Sequence, residues 1–259
     1  MAARLRGLFL VAFWFILIAV LAPFMILLTM ITGNENIMYA PVRLFVRIGL
    51  ALVGVRVVVR GLGLTDPNQT YIFTPNHQSF IEVPLLVTYL KHNFAYLAKK
   101  ELFKYPIWRQ GIKLIGVVPI DRSNTQAAVE SARLATANIR HGKSYVIYPE
   151  GTRSRDGRLL RFKKGAFMMA VDAGVPVVPV SISGSTKIMP KGEIKIFPST
   201  VYITVHEPID TAAYSKANIA ELIRITREKI VSALSEEEMG ESGSTKDTSQ
   251  RTTESAGRH

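Results

Sequence analysis

The sequence predicts an α/β domain set behind an apolar N-terminal segment, on three observations. Short β-rich runs at residues 71–74, 114–120, 145–148, 177–182 and 201–205 punctuate the chain. Between the second and third, Ala128, Val129, Ala132, Leu134, Ala135 and Ile139 recur at mostly helical spacing over residues 125–141, and strands alternating with helices build α/β sheets. Residues 8–31 contain no charge at all. The 259 residues suffice for one domain with a full core plus appendages, and no internal repeat divides them.

Taken in order, the 24 uncharged residues 8–31 are long enough to cross about 30 Å of hydrocarbon. They are too long for a secretory h-region, and no small-x-small cleavage site follows, so the segment is expected to stay on the mature chain. Pro23 is expected to interrupt it. A second apolar segment, residues 37–59, carries Arg43, Arg47 and Arg56 and is followed by Arg60. Arg43 and Arg47 are four apart and share a helical face, which predicts a helix lying at a membrane interface with its basic side chains near lipid phosphates. Residues 1–60 thus form the expected membrane-inserted or interfacial unit, and residues 61–235 the α/β domain. Within that domain Asp66-Pro67-Asn68-Gln69 reads as a turn into the strand 71–74, which Pro75 closes. His141-Gly142 ends the central helix. Ile219, Leu222, Ile223, Ile230, Val231 and Leu234 make residues 219–234 a last amphipathic helix. Residues 236–259 are Ser, Thr, Glu and Gly with almost no apolar side chain, a composition that predicts disorder.

Composition removes several classes of function. With no cysteine, the chain has no disulfide, no thiolate zinc site and no cysteine acyl-enzyme. The net charge is +12, and residues 236–259 are acidic on balance, so the rest of the chain is more basic still. Such a body suits an anionic membrane, a phosphorylated substrate or a nucleic acid. No zinc knuckle, helix-turn-helix or RNP-like aromatic pattern accompanies the charge, which argues against nucleic acid; the apolar N-terminus selects the membrane. There is no dinucleotide loop, P-loop or metal-ligand spacing, so no metal and no bound cofactor is expected.

The chemistry concentrates in two short segments. In Asn76-His77-Gln78-Ser79-Phe80-Ile81-Glu82 a histidine is followed five positions later by a carboxylate that can fix its tautomer and stabilise the imidazolium, the parts of a general base. It lies just past a strand, where α/β folds gather their chemistry. In Tyr148-Pro149-Glu150-Gly151-Thr152-Arg153-Ser154 a planar guanidinium is set to grip a phosphate through two parallel hydrogen bonds, and Gly151 lets backbone approach a substrate closely. A base beside an anion site suggests acyl transfer to a phosphorylated alcohol. His92, His141, His206 and His259 lack such a setting and read as packed or surface histidines. No Gly-x-Ser-x-Gly elbow marks a serine hydrolase.

These two segments, with Gly116-Val117-Val118-Pro119-Ile120-Asp121-Arg122, Phe162-Lys163-Lys164-Gly165-Ala166 and Val175-Pro176-Val177-Val178-Pro179, resemble in order the motif blocks of the glycerophospholipid acyltransferases, and most closely the 1-acyl-sn-glycerol-3-phosphate acyltransferase family. The likeness covers about residues 70–210. It implies a mixed sheet flanked by helices behind N-terminal membrane helices, which in some members dip into one leaflet without crossing. It also implies a fatty acyl group passing from acyl-CoA or acyl carrier protein to the sn-2 hydroxyl of lysophosphatidic acid, giving phosphatidic acid. His77 is then the base, oriented by Glu82. Lys99, with Lys100 as competitor, and Arg122 and Arg153 face the acceptor's phosphate. Glu150 touches substrate or holds Arg153, alongside Gly151 and Thr152, and Lys163 and Lys164 meet headgroups or the acidic carrier. Membrane phospholipids are further partners, and the implied location is a cell's inner membrane or its equivalent, with the catalytic domain on the cytoplasmic side. The family has Asp where this chain has Glu82, one methylene longer. The residues taken alone suit glycerol-3-phosphate or another lysolipid as acceptor equally well, or a catalytically inactive protein that binds anionic lipid.

Overall fold

The computed structural model describes residues 1–121, 124–190 and 193–239. Two helices come first, α1 (Ala2–Thr32) and α2 (Asn36–Leu52), and then the α/β elements β1 (Arg56–Arg60), β2 (Ile72–Pro75), α3 (Glu82–Tyr89), β3 (Phe94–Lys99), α4 (Pro106–Leu114), β4 (Val118–Ile120), α5 (Thr125–Arg140), β5 (Ser144–Val146), α6 (Gly165–Ala173), β6 (Val177–Ser183), α7 (Ser185–Ile188), β7 (Thr200–Val205) and α8 (Ile219–Val231). The seven strands form one mixed sheet in the order β1-β7-β6-β2-β5-β3-β4, parallel at every pairing except β6 with β7.

Period-two alternation sorts the side chains of the central strands to opposite faces. Ile72, Tyr145 and Val177 enter the core shared with α5, α6 and α8, and Phe73, Val146 and Val178 enter the core shared with α2 and α3. Parallel strands covered on both faces read as nearly continuous apolar runs, and β2 is buried along its whole length.

The N-terminal region departs from expectation in three ways. Pro23 lies inside one unbroken helix, α1, which is long and apolar enough to cross a membrane. The ring removes a single backbone hydrogen bond, and the apolar sequence on both sides continues the helix past it. The second apolar segment is helical only to Leu52. Gly54, at φ +75°, ends it, and the β-branched run Val57-Val58-Val59 becomes β1, paired with β7. The sheet therefore begins at Arg56, before the expected residue 61. Finally, Arg43 turns inward rather than toward lipid. It donates to Val87 O at 3.0 Å and to His92 O and Asn93 Oδ1 at 2.9 Å, serving carbonyls at the end of α3, while Arg47 lies over the Tyr89 ring.

Smaller corrections follow the same logic. Only Val118–Ile120 of the run 114–120 is strand, because Leu114 closes α4 and Gly116 turns the chain at φ 82°. The tail expected from residue 236 starts with an ordered turn, Glu236–Glu238, whose capping box joins Ser235 and Glu238. Glu238 is buried and accepts hydrogen bonds from Ser183 Oγ and Gly184 N. Residues 240–259 lie outside the described residues.

Candidate active site

Parallel pairing of β2, β5, β3 and β4 puts the C-terminal ends of four neighbouring strands on one edge of the sheet. The loop with His77 follows β2, the segment from Tyr148 to Ser154 follows β5, Lys99 ends β3, and Asp121 follows β4. The ends of β2 and β3 are two strand spacings apart, roughly 10 Å. The register Phe73 to Val146, carried forward two residues, brings Tyr148 level with Pro75 and so beside the histidine loop.

Asn76 starts that loop by extending the sheet with its side chain. Its amide donates to Ile182 O at 2.8 Å and accepts from Ile182 N at 2.7 Å, fixing the point where His77 departs. His77 Nδ1 sits 2.7 Å from Glu82 Oε2, and its side chain is 13% exposed. With Nδ1 engaged, Nε2 is the nitrogen left to meet a hydroxyl. Glu82 is fully buried at the first turn of α3, where the helix dipole favours negative charge. Its oxygens also accept from Ser79 N at 2.8 Å, Gln78 N at 2.9 Å and Ser185 Oγ at 2.7 Å. The extra methylene is therefore absorbed by a carboxylate anchored from several sides, and the bond to the imidazole keeps an ordinary length.

The segment after β5 clamps His77 from the other side. Glu150 is buried. One of its oxygens accepts from His77 N at 2.6 Å and the other from Leu160 N at 2.8 Å. Burial, against the two backbone N–H groups, pushes its pKa up to about 7. Glu150 thus ties the histidine loop to the segment that carries Leu160. Ser154 N donates to His77 O at 2.8 Å. The Tyr148 ring stacks on the imidazole, with centroids 3.8 Å apart and planes at 24°. Its hydroxyl is buried and meets no hydrogen-bond partner among the described residues, and burial holds it well above the usual phenol pKa.

The cations flank this centre. The Arg153 guanidinium lies 3.3 Å above the centroid of the exposed Phe80 ring, a cation–π contact that joins the segment after β5 to the histidine loop. Burial lowers its pKa and the field of Glu82 opposes that. Gly151 takes φ 71°, and a Cβ there would lie 3.1 Å from Lys163 Nζ, so the glycine lets Lys163 rest against the loop. Thr152 is exposed. Lys99 is exposed at the end of β3, while Lys100 pairs with Asp121 at 2.5 Å. Arg122 lies outside the described residues. No cluster of three or more histidine or acidic side chains able to hold a metal occurs among the described residues.

Tyr148, Phe80 and Ser185 escaped the sequence reading. The first two stood inside quoted motifs as aromatic side chains without an assigned role, whereas Ser185 is 103 residues from Glu82 and carries no local signal.

A histidine held by a buried carboxylate beside cations at one sheet edge has the parts for moving a proton next to an anionic group. The Acyltransferase family model matches residues 56–183. The chain is 32% identical over 244 residues to the chloroplastic 1-acyl-sn-glycerol-3-phosphate acyltransferase LPAT1 of Arabidopsis thaliana, covering 90% of this chain and 66% of that protein. It is 30% identical over 192 residues to the 1-acyl-sn-glycerol-3-phosphate acyltransferase of Borreliella burgdorferi, covering 74% of this chain and 77% of that one. The crystal structure of the 1-acyl-sn-glycerophosphate acyltransferase PlsC from Thermotoga maritima superposes with a TM-score of 0.76 at 29% identity, over 89% of this chain and 95% of that one. The chain belongs to the 1-acyl-sn-glycerol-3-phosphate acyltransferase family of glycerophospholipid acyltransferases. Its match spans between 44% and 66% of the length of the plant and algal relatives.

Proposed function

We propose that this chain transfers a fatty acyl group from acyl-CoA or acyl carrier protein to the sn-2 hydroxyl of 1-acyl-sn-glycerol-3-phosphate, forming phosphatidic acid. The observation that carries this reading is the 2.7 Å contact of His77 with Glu82, on a loop whose Phe80 ring lies under the Arg153 guanidinium. His77 Nε2 takes the hydroxyl proton as that oxygen attacks the thioester carbonyl. Glu82 stabilises the imidazolium through Nδ1. Collapse of the tetrahedral intermediate breaks the C–S bond, and the proton returns from His77 to the departing sulfur. Arg153, with Lys99 and Arg122, binds the acceptor's phosphate, and no metal or bound cofactor takes part. α1 attaches the chain to a membrane, from which the lysolipid arrives, with the catalytic domain on the cytoplasmic side.

The test is acyl transfer by detergent-solubilised protein from labelled acyl-CoA and acyl carrier protein to lysophosphatidic acid, glycerol-3-phosphate and neutral lysolipids. Transfer to lysophosphatidic acid above the others is expected. Transfer confined to another acceptor overturns the substrate, and lipid binding without any transfer overturns the reaction.

A further inference from the structure

Helix α4 carries one apolar stripe, of which only half is covered. Ile107 with Gly111, and Trp108 with Ile112, are spaced four apart and lie on one side of the helix. Gly111 and Ile112 are buried, and a Cβ at Gly111 would lie 3.5 Å from Ile26 of α1. One turn earlier the same stripe runs out from under α1. Ile107 is 55% exposed and Trp108 36%, and just before the helix Tyr105 is 67% exposed and Leu102 41%. On α1, one turn beyond Ile26, Met30 is exposed and its sulfur lies 3.8 Å from Gln110 of α4, so the apolar surface passes from one helix to the other. Isolated apolar side chains are ordinary on a surface, but a contiguous set of this kind marks a contact.

The charges beside the stripe are mainly basic. Lys99, Lys104, Arg109 and Lys113 are exposed, Lys100 is paired with Asp121, and Glu101 is the one acid within residues 99–113. Tryptophan and tyrosine settle at headgroup depth, and each lysine or arginine near an anionic leaflet adds to the attraction. We propose that residues 102–108 form a second membrane contact, shallow and selective for anionic lipid, continuous with the apolar face of α1. The contact rests on the reading of α1 as a membrane helix. Because this segment leaves β3 at the same sheet edge as His77, it holds the candidate active site at the lipid surface. An acidic carrier protein also suits a basic and apolar patch, but the continuity with α1 and the aromatic pair favour lipid.

The chain has two tryptophans, Trp14 on α1 and Trp108 on α4, so each single variant leaves one reporter. The Trp14→Phe and Trp108→Phe proteins are reconstituted into phosphatidylglycerol-containing vesicles with bromines placed at shallow or deep acyl positions. Trp108 is expected to be quenched by shallow bromines. Adding Lys104→Glu and Arg109→Glu should weaken that docking at least about fivefold per side chain. Quenching of Trp14 with none of Trp108 overturns the proposal and leaves the membrane reading of α1 standing; a Trp108 emission shift on adding acyl carrier protein would then assign the patch to a protein. If neither tryptophan is quenched, the membrane reading falls and the proposal with it.

Discussion

Glu82 takes hydrogen bonds from four donors, His77 Nδ1, Gln78 N, Ser79 N and Ser185 Oγ. Held this way, the carboxylate meets the imidazole at an ordinary hydrogen-bond length. Removing one anchor, as in Ser185→Ala, should let the carboxylate swing and lower kcat by roughly ten- to a hundredfold with little change in KM, and Ser185→Thr should restore it. Steady-state kinetics on the two variants checks this. For Tyr148 the ring stacks on His77 while the hydroxyl meets no partner among the described residues. Tyr148→Phe, which deletes a buried group without a partner, should keep activity and hold or raise Tm, whereas Tyr148→Leu loses the stacking and should cost about tenfold in kcat. Glu150 ties its role to pH. Its carboxyl is raised from 4.5 to about 7, so the folded state binds the extra proton in between, and stability falls as pH rises through that window. The loss is on the order of 3 kcal/mol at most. Thermal melts from pH 4.5 to 8 should show this decline in the wild type and a smaller one in Glu150→Gln. In the same variant kcat should fall more than KM rises, because an amide cannot accept from both His77 N and Leu160 N.

At the scale of elements, the turn from β6 into α7 joins stability to the site. Gly184 has φ +87°, and a Cβ there would come within 2.7 Å of Thr200 O. Gly184→Ala should lower unfolding free energy by about 2 kcal/mol or more and displace Ser185 from Glu82; urea unfolding and kcat measured together check both. Elements with a clear period were legible in the sequence: β6, β7, α5 and α8 fall within a few residues of expectation. β3, α3, α4 and α6 were not, since short, mixed stretches such as Phe94-Ala95-Tyr96-Leu97 satisfy helix and strand templates alike. β1 hid inside an apolar run whose fate depended on β7, some 140 residues away. In the candidate site, the pairing of His77 with Glu82 was readable because the two lie in one contiguous motif. The inward turn of Glu150 and the stacking of Tyr148 depend on strand register, and Ser185 on a tertiary contact, none of which local spacing encodes.

Across the whole molecule, a basic α/β body meets an apolar helix that leaves much of its length exposed. Apolar insertion and charge attraction respond differently to salt. The chain should therefore remain in the membrane pellet after high-salt and alkaline carbonate washes, and a purely electrostatic attachment would release it. We infer that His77, oriented by Glu82, removes the acceptor's proton at the membrane. Single-turnover formation of phosphatidic acid from labelled acyl donor and lysophosphatidic acid, by the wild type and by His77→Ala at matched lysolipid occupancy, tests this inference. A fall of about a hundred- to ten-thousandfold with lysolipid binding retained is expected. Equal rates for the two proteins would remove His77 from the chemistry.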